Sequence, residues 1–461
     1  MIAMQIDQET LTALLAAAKR LDAGFASLPP HEPSVPGSDR LAEVLDATAN
    51  RLLDNYPYFH PLYAGQMLKP PHPVARLAYA LAMWINPNNH ALDGGRATSA
   101  MEKEAVAEIA AMFGWTNFLG HLCGGGTMAN LEALWVAGQL QPGKKILASE
   151  QAHYTHRRIS KVLQLPFESV SVDSHGRTDI DVLKQHLASG DVGTVVATMG
   201  TTATGSVDPL PEIIALRQQY GFRIHADAAY GGYFTLAKNL ADHAKSAFAR
   251  MTEVDSMVID PHKHGLQPYG CGCVLFRDPS VGRLYKHDSP YTYFSSPELH
   301  LGEISLECSR PGASAAALWA TQRLLPLERG GQFAQGLERS RAAALMLYQK
   351  LQQASDTFLT AFAPELDMVV FAPRAASVPE MSALSSKIFA QAADHGLHLA
   401  LAELPVNFFP ALDPQVKADR QTVTALRSVL MKPEHLDWVE RIWAIIQSAT
   451  VKSAIIAAKP I

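Results

Sequence analysis

The chain has 461 residues, 48% hydrophobic, 18% charged and 8% aromatic, with a net charge of −5 at pH 7. That length suggests about two to three domains around a deep core and excludes a disordered or low-complexity chain. So faint an acidity offers no footprint for nucleic acid or an anionic membrane, leaving a small molecule or a second copy of the chain as the expected partner.

The opening stretch, MIAMQIDQETLTALLAAAKRL, lacks the basic start and cleavage site of a signal peptide. Its apolar residues recur at helical spacing, with Asp7 and Thr10 as possible caps. Pro-rich patches at 27–38 and 68–73 separate it from the helices beyond, so residues 1–85 read as a helical segment that packs on a partner subunit. No apolar run reaches the roughly 20 residues of a membrane helix. Four cysteines (Cys123, Cys271, Cys273, Cys308) are too few for a disulfide scaffold, and the Cys271/Cys273 pair lacks companions for a metal site. A cytoplasmic protein without a bound metal is expected.

From residue 98 the pattern alternates. TSAMEKEAVAEIAAMF opens with Thr98 and Ser99 followed by Glu102, the spacing of a capping box. A helix from Met128 to Ala137 precedes the short apolar runs KILAS, ESVSV, TVVATM, RIHAD, SMVID and CGCVLF, most of them separated by helical stretches or Gly/Pro turns. This alternation predicts an α/β fold with a mostly parallel sheet covered on both faces. Beyond residue 313 helical patterns dominate around one strand-like run, DMVVFAP at 367–373. The expected layout is therefore a large domain over 86–327 and a small C-terminal α/β domain over 328–461.

Three loops at strand ends carry chemistry, where open α/β sheets bind ligands. In CGGGTMANLEAL, glycines up to Gly125 and Gly126 run into Thr127 at a helix start, which suits a phosphate as readily as it makes a tight turn. In RIHADAAYGGY, Asp227 closes an apolar strand; it could pair with a protonated ring nitrogen while Ala229 leaves room for a flat ring, or it could cap a turn. In DPHKHGL, Lys263 sits between His262 and His264, and a lysine in a crowded loop can form a Schiff base. With His153 projecting after KILASE, flat enough to stack on a ring, the set matches what pyridoxal 5′-phosphate needs.

The blocks YPYFHPLYAG, NPNNHALDGGRATSAMEKE, GGGTMANLEAL, SEQAHYTHRR, ATMGTTATGSVDPL, HADAAYGG, DPHKHGL and ECSRPGA, from residue 56 to about 315, resemble the group II pyridoxal-phosphate-dependent amino acid decarboxylases of fold type I. The pairing of DPHK with HADAAYGG is the specific part. The resemblance implies a seven-stranded-type sheet, an obligate homodimer with its site at the interface, and loss of CO₂ from an L-amino acid. Position by position, it implies that Lys263 holds the cofactor aldehyde and Asp227 its ring nitrogen. It implies further that Ala229 and His153 flank the ring, and that Gly125, Gly126, Thr127 and His262 face the phosphate. Thr202 and Asp208 would position Asp227, His153 or the ring hydroxyl. Tyr291 or Tyr293 would return a proton to the α-carbon from a loop beyond the lysine. Where aromatic relatives read HKW this chain has His264, so the pocket beside the lysine differs. Tyr58, Phe59 and His60 resemble the aromatic enzymes' pocket segment, which tilts toward an aromatic substrate over an acidic one; the other reading of the three is packing for the N-terminal segment.

Two other activities share these parts. An aminotransferase would clamp the substrate carboxylate with an arginine such as Arg374, and the SRPGA run with Arg310 also resembles C–C lyases of the sphingosine-phosphate lyase type. A cofactor-free binding module is the remaining class.

Overall fold

A computed structural model describes residues 7–30, 39–286, 304–417 and 420–458. Seven strands form its larger sheet: β1 (Leu119–Cys123), β2 (Lys145–Ser149), β3 (Phe167–Val170), β4 (Val192–Thr198), β5 (Arg223–Asp227), β6 (Ser256–Ile259) and β7 (Gly272–Phe276). Their order is β1-β7-β6-β5-β4-β2-β3. Only β7 runs antiparallel to its neighbours; the pairs from β6 across to β3 are parallel. Every residue of β4, β6 and β7 is buried, because helices lie on both faces, and a two-faced strand reads as a continuous apolar run. The architecture is an α/β fold with a mostly parallel sheet, as the alternation predicts.

One strand escapes the apolar pattern. β1 carries His121 and Gly120 in place of an apolar run, yet His121 is fully buried and its Nε2 lies 2.9 Å from Glu132 Oε2. The pair satisfies the polarity that makes the segment resemble a loop.

The helix expected to start at Thr98 instead spans Leu92–Met112, with a non-helical residue at Gly95. Thr98 and Ser99 cap nothing. Thr98 Oγ1 donates to Asn89 Oδ1 at 2.6 Å. Glu102, 1% exposed, accepts from Asn89 Nδ2, from the Leu122 N–H and from Arg310 Nη1 at 2.6–2.9 Å. The acidic residue that resembles a capping partner thus ties this helix to the exit of β1.

The helix Gln332–Gln353 leads into an antiparallel four-stranded sheet, β10-β11-β9-β8, built of β8 (Phe358–Thr360), β9 (Met368–Pro373), β10 (Ala400–Pro405) and β11 (Thr422–Val429). Of these, β9 alone is legible as an apolar run. β10 carries Glu403 and β11 carries Arg427, each interrupting the apolar pattern. At the other end, Asp7 caps the helix Gln8–Gly24 by accepting from the Thr10 N–H at 2.7 Å. Neither that helix nor Leu41–Leu52 buries a residue, and Leu11, Leu15, Leu41, Leu45 and Leu52 are exposed. Among the described residues, no helix is long and apolar enough to cross a membrane.

Candidate active site

The carboxyl ends of β1, β2, β4, β5 and β6 open on one cavity of about 520 Å³. Its lining includes Gly125, Gly126, Thr127, His153, Thr202, Asp227, Ala229, His262 and Lys263, so residues spread over 139 positions of sequence meet at one sheet edge.

Lys263 is fixed by a tight loop after β6. Its backbone N–H donates to Asp260 O at 2.9 Å and that of Gln267 to Pro261 O at 3.1 Å. A Cβ at Gly265 would stand 2.6 Å from Pro261 Cα, and Leu266 takes φ +63°, a costly conformation for a branched side chain. The Lys263 amine lies 3.1 Å from Asp260 Oδ2. Beside it the His262 ring packs against Tyr269, centroids 4.8 Å apart. Burial lowers the His262 pKa, and its buried Nδ1 has no hydrogen-bond partner among the described residues.

At the end of β1, Gly125 has φ +144°, which disfavours any side chain, and no side chain among the described residues caps the helix Gly126–Leu140. The N–H groups of its first turn therefore lack partners within the helix. Gly272, at the start of the reversed strand β7, closes the cup from behind; a Cβ there would meet Gly125 Cα at 2.6 Å. Glu307 Oε2 accepts from the Gly124 N–H at 2.9 Å on the rim.

Asp227, 6% exposed, is the site's buried acid. Burial alone would raise its carboxyl, but the hydrogen bond and charge of His156, with Lys263 and His225 nearby, hold it well below the usual range. His156 Nε2 lies 2.8 Å from Oδ2, Asn130 Nδ2 lies 3.5 Å from the same oxygen, and the Ala229 N–H donates to Oδ1 at 3.2 Å. Asn130 in turn accepts from His225 Nε2 at 2.8 Å, and burial pushes His225 down to about 3. The half-buried His153 ring is held at the helix entry, its Nδ1 accepting from the Thr155 N–H at 3.3 Å. Burial lowers its pKa too, despite Asp227, so it is a neutral flat ring at neutral pH.

The arrangement fits pyridoxal phosphate. An uncapped glycine helix end and the orphaned His262 Nδ1 suit its phosphate, an ionised buried carboxylate suits its ring nitrogen, and an amine suits its aldehyde.

Several expected residues stand elsewhere. Asp208 does not line the cavity; fully buried beneath it, the carboxylate accepts from the Thr178 and Thr198 N–H groups at 2.7 Å and fastens the end of β4. Tyr58 and Phe59 line a second cavity of about 680 Å³ with Lys69, His264 and Lys432, and His60 packs edge-on against Trp438. Farther along the same N-terminal segment, Ala64 O accepts from the Val429 N–H at the end of β11. Arg374 is exposed and bonds the Ser355 and Ala411 carbonyls, and Arg310 is buried against Glu102. Tyr291 and Tyr293 lie outside the described residues.

His156, Asn130 and Arg427 carry no signal in the residue pattern. His156 hides in THRR, which looks like a solvated helix start. Arg427, 6% exposed, reaches from β11 to Thr202 O at 2.8 Å and Gln66 Oε1 at 2.6 Å, with no carboxylate partner among the described residues.

A family model, the pyridoxal-dependent decarboxylase conserved domain, matches residues 135–374. The chain belongs to that family. This decarboxylase is 28% identical over 417 residues to the L-tyrosine decarboxylase of Enterococcus faecium, covering 68% of each chain. It is also 28% identical over 316 residues to a "Probable L-tyrosine/L-aspartate decarboxylase" of Methanothermobacter thermautotrophicus, covering 67% of this chain and 82% of that one. Its fold is that of Oryza sativa TDC solved with PLP and tryptamine, at TM-score 0.77 and 17% identity over 97% of this chain and 99% of that one. Mouse CSAD superposes at TM-score 0.74 and 19% identity, covering 95% and 99%. The chain is a pyridoxal-phosphate-dependent amino acid decarboxylase.

Proposed function

We propose that this decarboxylase acts on an aromatic L-amino acid in the Lys263 cavity, as a cytoplasmic homodimer. The reading rests above all on one observation: amine, acid, flat ring and phosphate cup share a single cavity. Bound pyridoxal phosphate supplies an electron sink for the pair left behind as CO₂ departs.

The residues divide the remaining work. Lys263 would hold the cofactor by its aldehyde. Asp227, kept ionised, would hold a proton on the ring nitrogen. His153 and Ala229 would confine the ring, and Gly125, Gly126, Thr127 and His262 would hold the phosphate. The relatives named for L-tyrosine support the aromatic substrate. A second reading, an acidic amino acid, draws on Arg427 and on the relative whose name includes L-aspartate. The exposed apolar faces of Gln8–Gly24 and Leu41–Leu52 support a second copy as their cover.

Assaying amine and CO₂ release across the twenty amino acids, DOPA and 5-hydroxytryptophan tests this. Tyrosine, tryptophan or their hydroxylated forms are expected to lead. Keto acid as the main product, or turnover confined to aspartate or glutamate, would overturn the aromatic decarboxylase reading.

A further inference from the structure

Asp227 is surrounded by more donors than a turn or cap aspartate needs. An ionised carboxylate offers about four lone pairs. Here Oδ2 receives His156 Nε2 and Asn130 Nδ2, and Oδ1 receives the Ala229 N–H. One lone pair, on Oδ1, is left for an incoming ligand. The orientation of Asn130 is itself imposed. Ser256 Oγ lies 2.9 Å from His225 Nδ1 and His225 Nε2 lies 2.8 Å from Asn130 Oδ1, so a neutral His225 protonated at Nε2 turns the Asn130 amide group toward Asp227. His156 is fully buried and its Nδ1 has no partner, so among the described residues its side chain has one polar contact, Asp227.

We infer that His156 is a positioning residue, which with Asn130 occupies Asp227 Oδ2 so that the cofactor's ring nitrogen meets Oδ1 alone and meets it ionised. The inference rests on pyridoxal phosphate occupying this cavity. The charged and titratable groups set around His156 are Asp227 and His225 from β5 and His153 just before its own helix, with Lys263 acting on Asp227 and His153. Of these only Asp227 is negative, so removing the His156 donor leaves a buried carboxylate with its desolvation less opposed. Its pKa then rises, and the neutral acid formed as pH falls no longer attracts the ring nitrogen's proton.

The test is a pair of substitutions, read through cofactor binding. His156→Leu removes the donor; His156→Gln keeps an N–H at about the reach of Nε2 without a positive charge. Apo forms of each protein are titrated with pyridoxal phosphate from pH 5.5 to 8, following the visible absorbance band, with circular dichroism of each apo form as a control on folding. For His156→Leu the dissociation constant is expected to rise about tenfold to hundredfold, and to worsen further toward pH 5.5, while the wild type stays flat. His156→Gln is expected to recover most of the affinity.

Wild-type affinity and pH profile in His156→Leu would overturn the inference. So would an equal loss in both variants, which would mark His156 as packing alone. If His156→Leu does not fold, His156→Asn, whose shorter amide falls short of Oδ2, takes its place: affinity lost there and kept in His156→Gln supports the inference, and equal affinity in the two with native dichroism refutes it. Failure of the wild type to bind pyridoxal phosphate would instead refute the underlying site assignment.

Discussion

Arg310 offers the sharpest division between a structural and a catalytic role. Its guanidinium is buried against Glu102, which also accepts from the Leu122 N–H and Asn89 Nδ2. Glu102→Ala removes the carboxylate holding that cation and strands two further donors. Breaking a buried pair from one side costs about 3–5 kcal/mol. For a domain of this size that lowers the melting temperature by about 6–20 °C. Arg310→Met should cost a similar amount, and Glu102→Met with Arg310→Met less than the sum, because no charge is then left unpaired. Differential scanning calorimetry of the cofactor-loaded proteins reads these shifts, and CO₂ release reads turnover. Turnover of the folded double variant should stay within about fivefold of wild type, since neither side chain lines the Lys263 cavity. An Arg310→Met protein with an unchanged melting temperature and no turnover would refute the argument and place Arg310 on the substrate.

Three further outcomes are expected. Lys263→Ala should lose the borohydride-sensitive absorbance near ~420 nm and at least about a thousandfold in turnover; full activity with cofactor would contradict its role. Gly126→Ala puts a Cβ 2.7 Å from Asp260 Oδ2, and relieving that overlap should weaken cofactor binding on the order of tenfold in an absorbance titration. Asp367 accepts from the Tyr230 hydroxyl, and burial raises its pKa to about 6. A raised acid stabilises the fold fully below its unfolded value and loses that contribution as pH rises through about 6. Asp367→Asn should therefore flatten the dependence of the urea midpoint between pH 4 and 7, by up to about 3 kcal/mol. Parallel wild-type and variant curves would count against the shift.

How legible each part is in the residues depends on the kind of constraint it obeys. Buried strands such as β4 and β6 are long enough and apolar enough to announce themselves, and Lys263, Asp227 and the glycine cup stand at their ends in motifs of fixed spacing. Polar residues whose partners are remote in sequence are not legible. Glu102 resembles a local cap because its true partners are 13, 20 and 208 residues away. His156 resembles a solvated residue because Asp227 lies 71 residues on. Asp208 stands out in its motif but fastens the Thr178 and Thr198 backbone, and Tyr58, Phe59 and His60 do not line the Lys263 cavity. In each case the residue type signals burial or chemistry, and only the tertiary partner distinguishes the two.

The contact between Gly125 and Gly272 has a consequence for inheritance. The two lie 147 positions apart, yet a side chain at Gly272 would enter the volume of the Gly125 backbone, and a side chain at Gly125 is disfavoured by its positive φ and would crowd the His262 ring. A chimera of two such enzymes joined anywhere between them draws its cup from one parent and its backing from the other. Only a donor that is glycine at both positions can be spliced there, so fragment exchange in this region should succeed or fail according to this pair rather than to overall similarity.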